Sequence, residues 1–343
     1  MLASGSLIAG KYEIVSLIGE GGMGVVYEAR HTRIARRVAI KVIHPSMARD
    51  SEALARFERE AQAVTRIGSQ HVVDVLDFGN LDQGDRFIVM EHLEGETLGA
   101  RLKREGFLTQ GEVLQIGVQI LEGLAKVHEA GIIHRDLKPG TIFLAARGQN
   151  VVVKILDFGV CKMLETQGED GEPLTTMGQL LGTPAYMAPE TMELGPSKAD
   201  ARADLYSVGM ILRRALAGRL PHEADSIVEL LVRRREEKPL PLKQASPDVD
   251  AELAAIVDRA IAAEPARRFQ SARDFKRALA DWALARTSTR VMARPDTTRE
   301  QDDPTDIHIS LDFDPPRRER RVDLEVDDEP ATIPLTSSRP KSK

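Results

Sequence analysis

Between residues 10 and about 286, apolar residues recur two apart, or three and four apart; after that Pro, Asp, Arg, Ser and Thr follow with little period. The alternating runs predict strands over 12–18, 25–29, 37–43, 72–78 and 86–91. One helix interrupts them over 52–66, with Leu54, Phe57, Ala61 and Val64 on a single face. From Gln110 the pattern turns helical: Val113, Ile116, Ile120, Leu121, Leu124 and Val127 form an apolar stripe that Gly131 ends. A last helix, over 272–285, opens with Ser271 three residues before Asp274, a capping-box arrangement. A small β-rich lobe followed by a helical lobe predicts an α+β architecture with a cleft between the two. The expected layout is an N-terminal extension over 1–11, one domain over 12–286 whose lobes divide at about 93/94, and a tail over 287–343. The tail is expected to be disordered, because so few apolar groups cannot offset the entropy of ordering a chain. Only 307–313 alternates like a strand; it reads as solvated tail, with docking on a partner or on the domain as the alternative, and the tail as a whole could meet a scaffold or phosphopeptide-binding partner.

Composition narrows the class. The 343 residues carry 47 Lys+Arg against 53 Asp+Glu, so nothing basic enough to track nucleic acid is present. No run approaches the roughly 18 uncharged apolar residues of a membrane helix, so no membrane insertion is expected. The single cysteine, Cys161, allows no intrachain disulfide and suits a reducing, cytoplasmic setting. It follows an Asp-Phe-Gly run closely and reads as a small packing residue. The first nine residues lack the basic and long apolar regions of a secretory signal.

Several motifs carry chemistry. Gly19-Glu20-Gly21-Gly22-Met23-Gly24 fits G-x-G-x-x-G, but the strand-like Val25-Val26-Tyr27 follows instead of a helix, so the glycines belong to a hairpin. No Gly-Lys-Ser/Thr follows either, which excludes a Walker loop. Glycines at a hairpin tip let backbone N–H groups approach phosphate oxygens without a Cβ in the way. Val38-Ala39-Ile40-Lys41 ends an apolar strand in a lysine. Glu60, three residues after Phe57 and four before Val64, points from the buried side of its helix and needs a cation, for which Lys41 is the candidate.

Further on come His134-Arg135-Asp136-Leu137-Lys138-Pro139, Asp157-Phe158-Gly159 and Ala188-Pro189-Glu190. With five ordered motifs, the chain resembles the bacterial, eukaryotic-like (Hanks-type) serine/threonine protein kinases from about Tyr12 to Trp282. The resemblance implies a two-lobed kinase fold and transfer of the ATP γ-phosphoryl to Ser/Thr of a protein substrate, with autophosphorylation. In that reading Lys41 holds the α/β-phosphates and pairs with Glu60, and Asp136 accepts or orients the substrate hydroxyl. Lys138 neutralises charge on the moving phosphoryl group, and Asp157 binds Mg²⁺. Such chemistry asks mainly for positioning and charge stabilisation. The nucleotide pocket implied by the resemblance comprises Ile18, Gly19, Glu20, Gly21, Gly22, Met23 and Gly24, with Val26 and Ala39 above the adenine and Phe143 below. Backbone groups of Glu91 and Leu93 meet its edge behind Met90. Thr183 and Lys138 suggest Ser/Thr specificity, and Thr175 and Thr176 are the phosphorylation candidates of an activation segment answering to Arg135. Asp204 and a Glu190–Arg268 ion pair are expected to anchor the catalytic loop and the substrate platform.

One position departs from the family pattern. H-R-D-x-x-x-x-N asks for Asn at 141, and the chain has Thr141. A hydroxyl on a short β-branched side chain is a weaker metal ligand than an amide and lacks its N–H donor. Two readings remain: an enzyme of reduced or metal-altered turnover, served by Mg²⁺ or Mn²⁺, and a pseudokinase acting as a nucleotide-binding scaffold. The enzyme is favoured because Lys41, Glu60, Asp136, Lys138 and Asp157 are all present.

Overall fold

Alternating apolar residues build the first lobe around one antiparallel sheet. The computed structural model describes residues 2–21, 24–43, 65–81, 85–148, 150–157, 184–195, 199–224 and 226–292. Strands β1 (Leu7–Ile8), β2 (Tyr12–Gly21), β3 (Gly24–His31), β4 (Arg37–Ile43), β5 (Val75–Asn80) and β6 (Arg86–Glu91) form the sheet in the order β1-β2-β3-β4-β6-β5. Period-two burial gives it two faces. Val25, Tyr27 and Ala29 of β3, Val38 and Ile40 of β4 and Phe87 and Val89 of β6 join Ile8, Tyr12 and Ile14 in one core. The register pairs Val26 with Lys41, Lys41 with Ile88, and Ala39 with Met90, so these five side chains share the opposite face. The predicted strand over 72–78 begins later, at Val75, because 71–73 bond elsewhere. Val72 bridges Ile155, Val73 N–H donates to the Ile155 carbonyl, and Ile155 N–H donates to that of His71. The predicted helix over 52–66 lies almost wholly outside the described residues.

The second lobe opens with β7 (Gly95–Thr97) and α1 (Leu98–Glu105), then α2 (Gln110–Glu129). Thr109 and Glu112 form a reciprocal capping box at the start of α2, and Gly131, at φ +76°, turns the chain away after it. The stripe of Val113, Ile116, Ile120, Leu121, Leu124 and Val127 is buried as its spacing predicts. Strands β8 (Ile142–Arg147) and β9 (Asn150–Ile155) pair as a hairpin, with β7 on the far side of β8. Helices α3 (Pro189–Leu194), α4 (Ala201–Ala217), α5 (Ile227–Glu236), α6 (Leu242–Ala245), α7 (Ala251–Ala260) and α8 (Ala272–Met292) complete the lobe. Ser271 Oγ accepts from Asp274 N–H at 3.1 Å, the predicted cap, but α8 continues seven residues beyond the expected 285. Gly123 lets α2 lie against the connection between the lobes: a Cβ there would stand 2.9 Å from Ile155 Cδ1 and 3.0 Å from His71 O. Among the described residues, no helix is long and apolar enough to cross a membrane.

Candidate active site

The hairpin of β2 and β3 carries the glycine run. Gly21 pairs with Gly24 across its end; Gly22 and Met23 lie outside the described residues. Gly24 has φ +150°, and a Cβ on it would sit 2.1 Å from Val42 O, so only glycine fits there. Ile18 is 53% exposed, Glu20 and Gly21 are also exposed, and Gly19 is half-buried opposite Val26.

Lys41 is 6% exposed. Its Nζ donates to Asp157 Oδ1 at 2.7 Å, joining β4 to the second residue after β9 across 116 positions. A buried ammonium needs such a partner. Asp157 holds φ +49° and Arg135 φ +66°, left-handed conformations that non-glycine residues seldom adopt and that cluster at functional sites. Glu60, the predicted partner of Lys41, lies outside the described residues, as do Thr175, Thr176, Thr183 and Cys161.

The segment from His134 to Thr141 is held by side chains at each end. Asp204, on α4 and 1% exposed, accepts from His134 N–H at 2.8 Å with Oδ2 and from Arg135 N–H at 2.9 Å with Oδ1; His128 Nε2 lies 2.8 Å from Oδ2. Burial alone would raise the Asp204 carboxyl, yet the hydrogen bond and charge of His128 and the His134 N–H outweigh it and hold the group below the usual range. His134 Nδ1 accepts from Asp136 N–H at 3.3 Å, which leaves Nε2–H to donate to the Leu156 carbonyl at 2.8 Å. Asp136 is thereby fixed deep in the site, with Lys138 Nζ 3.2 Å from its Oδ2.

Thr141 is 3% exposed. Its hydroxyl proton faces the carbonyls of Lys138 (3.0 Å) and Asp136 (3.2 Å), and its oxygen accepts from Lys138 N–H at 3.1 Å. A hydroxyl has one proton and two lone pairs, so a single lone pair is left over. The side chain braces the loop that carries Asp136. Among the described residues, no group of three or more His, Cys, Asp or Glu is arranged to hold a metal. Mg²⁺ seldom needs one, since it commonly takes one or two carboxylates beside phosphate and water oxygens, and the Asp157 carboxylate fits that demand.

Val26, Ala39 and Met90 are half-buried on the Lys41 face of the sheet. Phe143 is half-buried on β8, and the register puts Lys154 on its face of the hairpin. Lys154 Nζ reaches Glu91 Oε1 at 2.6 Å and the Val72 carbonyl at 3.2 Å, directing that face toward the end of β6. Glu91 N–H donates to the Asp74 carbonyl at 3.0 Å, so an adenine contact from Glu91 has to use its carbonyl. Leu93 is half-buried just after β6. The Lys154–Glu91 pair was not anticipated; its one signal in the sequence is a lysine after Val151-Val152-Val153.

Beyond the loop, Glu190 meets Arg268 in a two-pronged pair, with both N···O distances 2.7 Å. Arg268 is fully buried and also donates to the carbonyls of Ala262, Ala263 and Arg202, so its charge is well satisfied. The expected anchor between Glu190 and Arg268 is therefore formed.

A lysine from the sheet thus meets an aspartate after a hairpin, beside a braced aspartate–lysine pair. A family model described as "Protein kinase domain" matches residues 12–279. The chain belongs to that family. It is 41% identical over 275 residues to serine/threonine-protein kinase pkn3 of Myxococcus xanthus, covering 79% of this chain and 50% of the relative. It is 38% identical over 271 residues to serine/threonine-protein kinase Pkn1 of the same organism, covering 79% and 38%. The chain thus spans half or less of the length of these bacterial relatives. The crystal structure of the Mycobacterium tuberculosis PknI kinase domain superposes with a TM-score of 0.63 at 30% identity, covering 82% of this chain and 99% of that one. The two-lobed kinase fold, with its sheet-based first lobe and helical second lobe, follows.

Proposed function

We propose that the chain transfers the γ-phosphoryl of ATP to Ser or Thr hydroxyls of proteins, itself included. The observation that carries this reading is the 2.7 Å contact between buried Lys41 and Asp157 across the lobes. The names of the bacterial relatives support an enzyme rather than a pseudokinase. Lys41 would hold the nucleotide phosphates, with Glu60 steadying it, and Asp157 would ligate Mg²⁺. Mg²⁺ supplies charge neutralisation on the phosphate oxygens. Asp136 orients the acceptor hydroxyl and takes its proton, while Lys138 stands against its Oδ2 and offsets charge on the oxygens in transfer. The residues 18–24, Val26, Ala39, Phe143, Glu91 and Leu93 would enclose the nucleotide. Thr141 is proposed to replace the family's asparagine as a loop brace and a weak ligand, so Mn²⁺ would serve relatively better than Mg²⁺. Thr175, Thr176 and Thr183 are proposed activation-segment residues. The proposed layout keeps an extension over 1–11, a kinase domain over 12–286 and a tail over 287–343 that meets partners; the family match over 12–279 supports its middle part.

The test is autophosphorylation of the purified chain with Mg²⁺ and with Mn²⁺, beside nucleotide binding followed by thermal shift. Transfer with both metals, larger with Mn²⁺, is expected, and nucleotide should raise Tm. Nucleotide stabilisation without transfer under either metal would refute the enzyme.

A further inference from the structure

The backbone leading into α3 is irregular, and side chains from other helices hold it. Pro184–Tyr186 form a single 3-10 turn closed by Met187 N–H on the Pro184 carbonyl at 3.1 Å. The next three carbonyls accept from side chains: Tyr186 O from Ser207 Oγ of α4 at 2.9 Å, and Ala185 O and Met187 O both from Arg234 of α5, the latter at 2.8 Å. Arg234 Nη1 also lies 3.3 Å from Met192 Sδ on α3. A backbone without ladder hydrogen bonds keeps its shape only as well as its anchors do. One planar guanidinium bridging two carbonyls two residues apart is a fixed fork that a single ammonium cannot reproduce.

We infer that Arg234 is a positioning residue for the protein acceptor: it sets the ledge over 184–187 on which the substrate segment rests. The inference rests on the kinase reading, because the ledge joins Thr183 to the anchored Glu190. The described hydrogen bonds of Arg234 go to Ala185, Met187 and Met192 and none to Lys41, Asp157 or the Asp136–Lys138 pair, so its effect falls on acceptor binding rather than on ATP. Its neighbour Arg233 makes an internal ion pair with Glu229 at 2.7 Å on the exposed side of α5 and serves as the control.

The experiment compares the full chain with Arg234→Lys, Arg234→Met and Arg233→Met. The readouts are KM for dephosphorylated casein, KM for ATP, and hydrogen exchange of peptides covering 184–192. Losing two hydrogen bonds from a charged donor should raise the casein KM and the exchange rate by at least about tenfold in Arg234→Met. Arg234→Lys should fall between, with KM for ATP unchanged throughout and Arg233→Met like the wild type. If Arg234→Met does not fold, Arg234→Lys carries the same comparison. An unchanged casein KM with unchanged exchange overturns the inference, as does an equal rise in both KM values. A wild type that transfers nothing refutes the kinase reading instead; exchange at 184–192 then decides the anchor alone, faster in Arg234→Lys if Arg234 sets the ledge and unchanged if it does not.

Discussion

Replacing Asp204 by Asn removes one charge and almost no volume, so it isolates what the buried carboxylate does for the catalytic loop. Its two oxygens face two backbone donors, His134 N–H and Arg135 N–H, and the ring of His128. An amide offers one oxygen and one NH₂ group, so whichever way Asn turns, one backbone N–H meets another donor. Each bond to the carboxylate also falls from the charged class, about 1.5–3 kcal/mol, to the neutral class, about 0.5–1.5 kcal/mol. With one orphaned N–H added, the loss should total about 3–5 kcal/mol, the range for breaking a buried charge arrangement. For a domain of this size that lowers Tm by roughly 6–20 °C. The pH dependence has a definite sign. The Asp204 carboxyl is lowered in the folded protein, so its stabilisation is fully present above the unfolded value of about 3.8 and is lost as pH falls through the folded value. The titration of Asp204 itself therefore leaves the gap between wild type and Asp204→Asn unchanged above about pH 5 and closes it only in strong acid. Denaturant melts at pH 5, 6, 7 and 8 measure it. A loss below about 1 kcal/mol would refute the assigned role of the carboxylate, since even one neutral hydrogen bond accounts for that much.

Other substitutions probe separate parts of the account. Thr141→Val keeps the shape but leaves Lys138 N–H and two carbonyls without the hydroxyl, and should cost about 1–3 kcal/mol in denaturant unfolding. Thr141→Asn should raise Mg²⁺-dependent turnover by roughly 10- to 100-fold and narrow the preference for Mn²⁺; no gain in a steady-state assay would count against a metal role for position 141. Arg268→Leu strands the Glu190 carboxylate and should destabilise by about 3–5 kcal/mol, with the double variant Glu190→Leu/Arg268→Leu recovering part of it in the same melts. Gly24→Ala forces a Cβ against the Val42 carbonyl and should weaken nucleotide binding by isothermal titration more than Gly21→Ala, whose Cβ meets nothing within 4 Å.

Strands β4 and β6 and the buried stripe of α2 were legible because alternation and helical spacing there coincide with burial on one face. The same signal misplaced the start of β5. Val72 and Val73 are as apolar as a sheet strand, but they pair with the end of β9, and period two does not say which partner a strand takes. The hairpin of β8 and β9 escaped because Ile142-Phe143-Leu144 and Val151-Val152-Val153 are runs without alternation, which periodicity alone cannot assign. Helix α8 outran its expected end because Thr287-Ser288-Thr289-Arg290 offers no apolar stripe to read. In the site, Lys41, Asp136, Lys138, Asp157 and the Glu190–Arg268 pair were visible as motifs. That Lys41 meets Asp157, that Lys154 meets Glu91 and that Arg234 caps two carbonyls depend on contacts between residues far apart in the chain, which no local pattern encodes.

The central claim is that Asp136 serves transfer from ATP to a protein hydroxyl, and one comparison addresses it most directly. Purified wild-type chain and Asp136→Asn are given ATP labelled in the γ-phosphoryl, a divalent metal and dephosphorylated casein, and label in Ser and Thr is counted. The account predicts incorporation by the wild type at least about 10²-fold faster than by Asp136→Asn, with nucleotide-induced thermal stabilisation intact in both. Equal incorporation by the two proteins, or none by either while nucleotide still stabilises both, would contradict it.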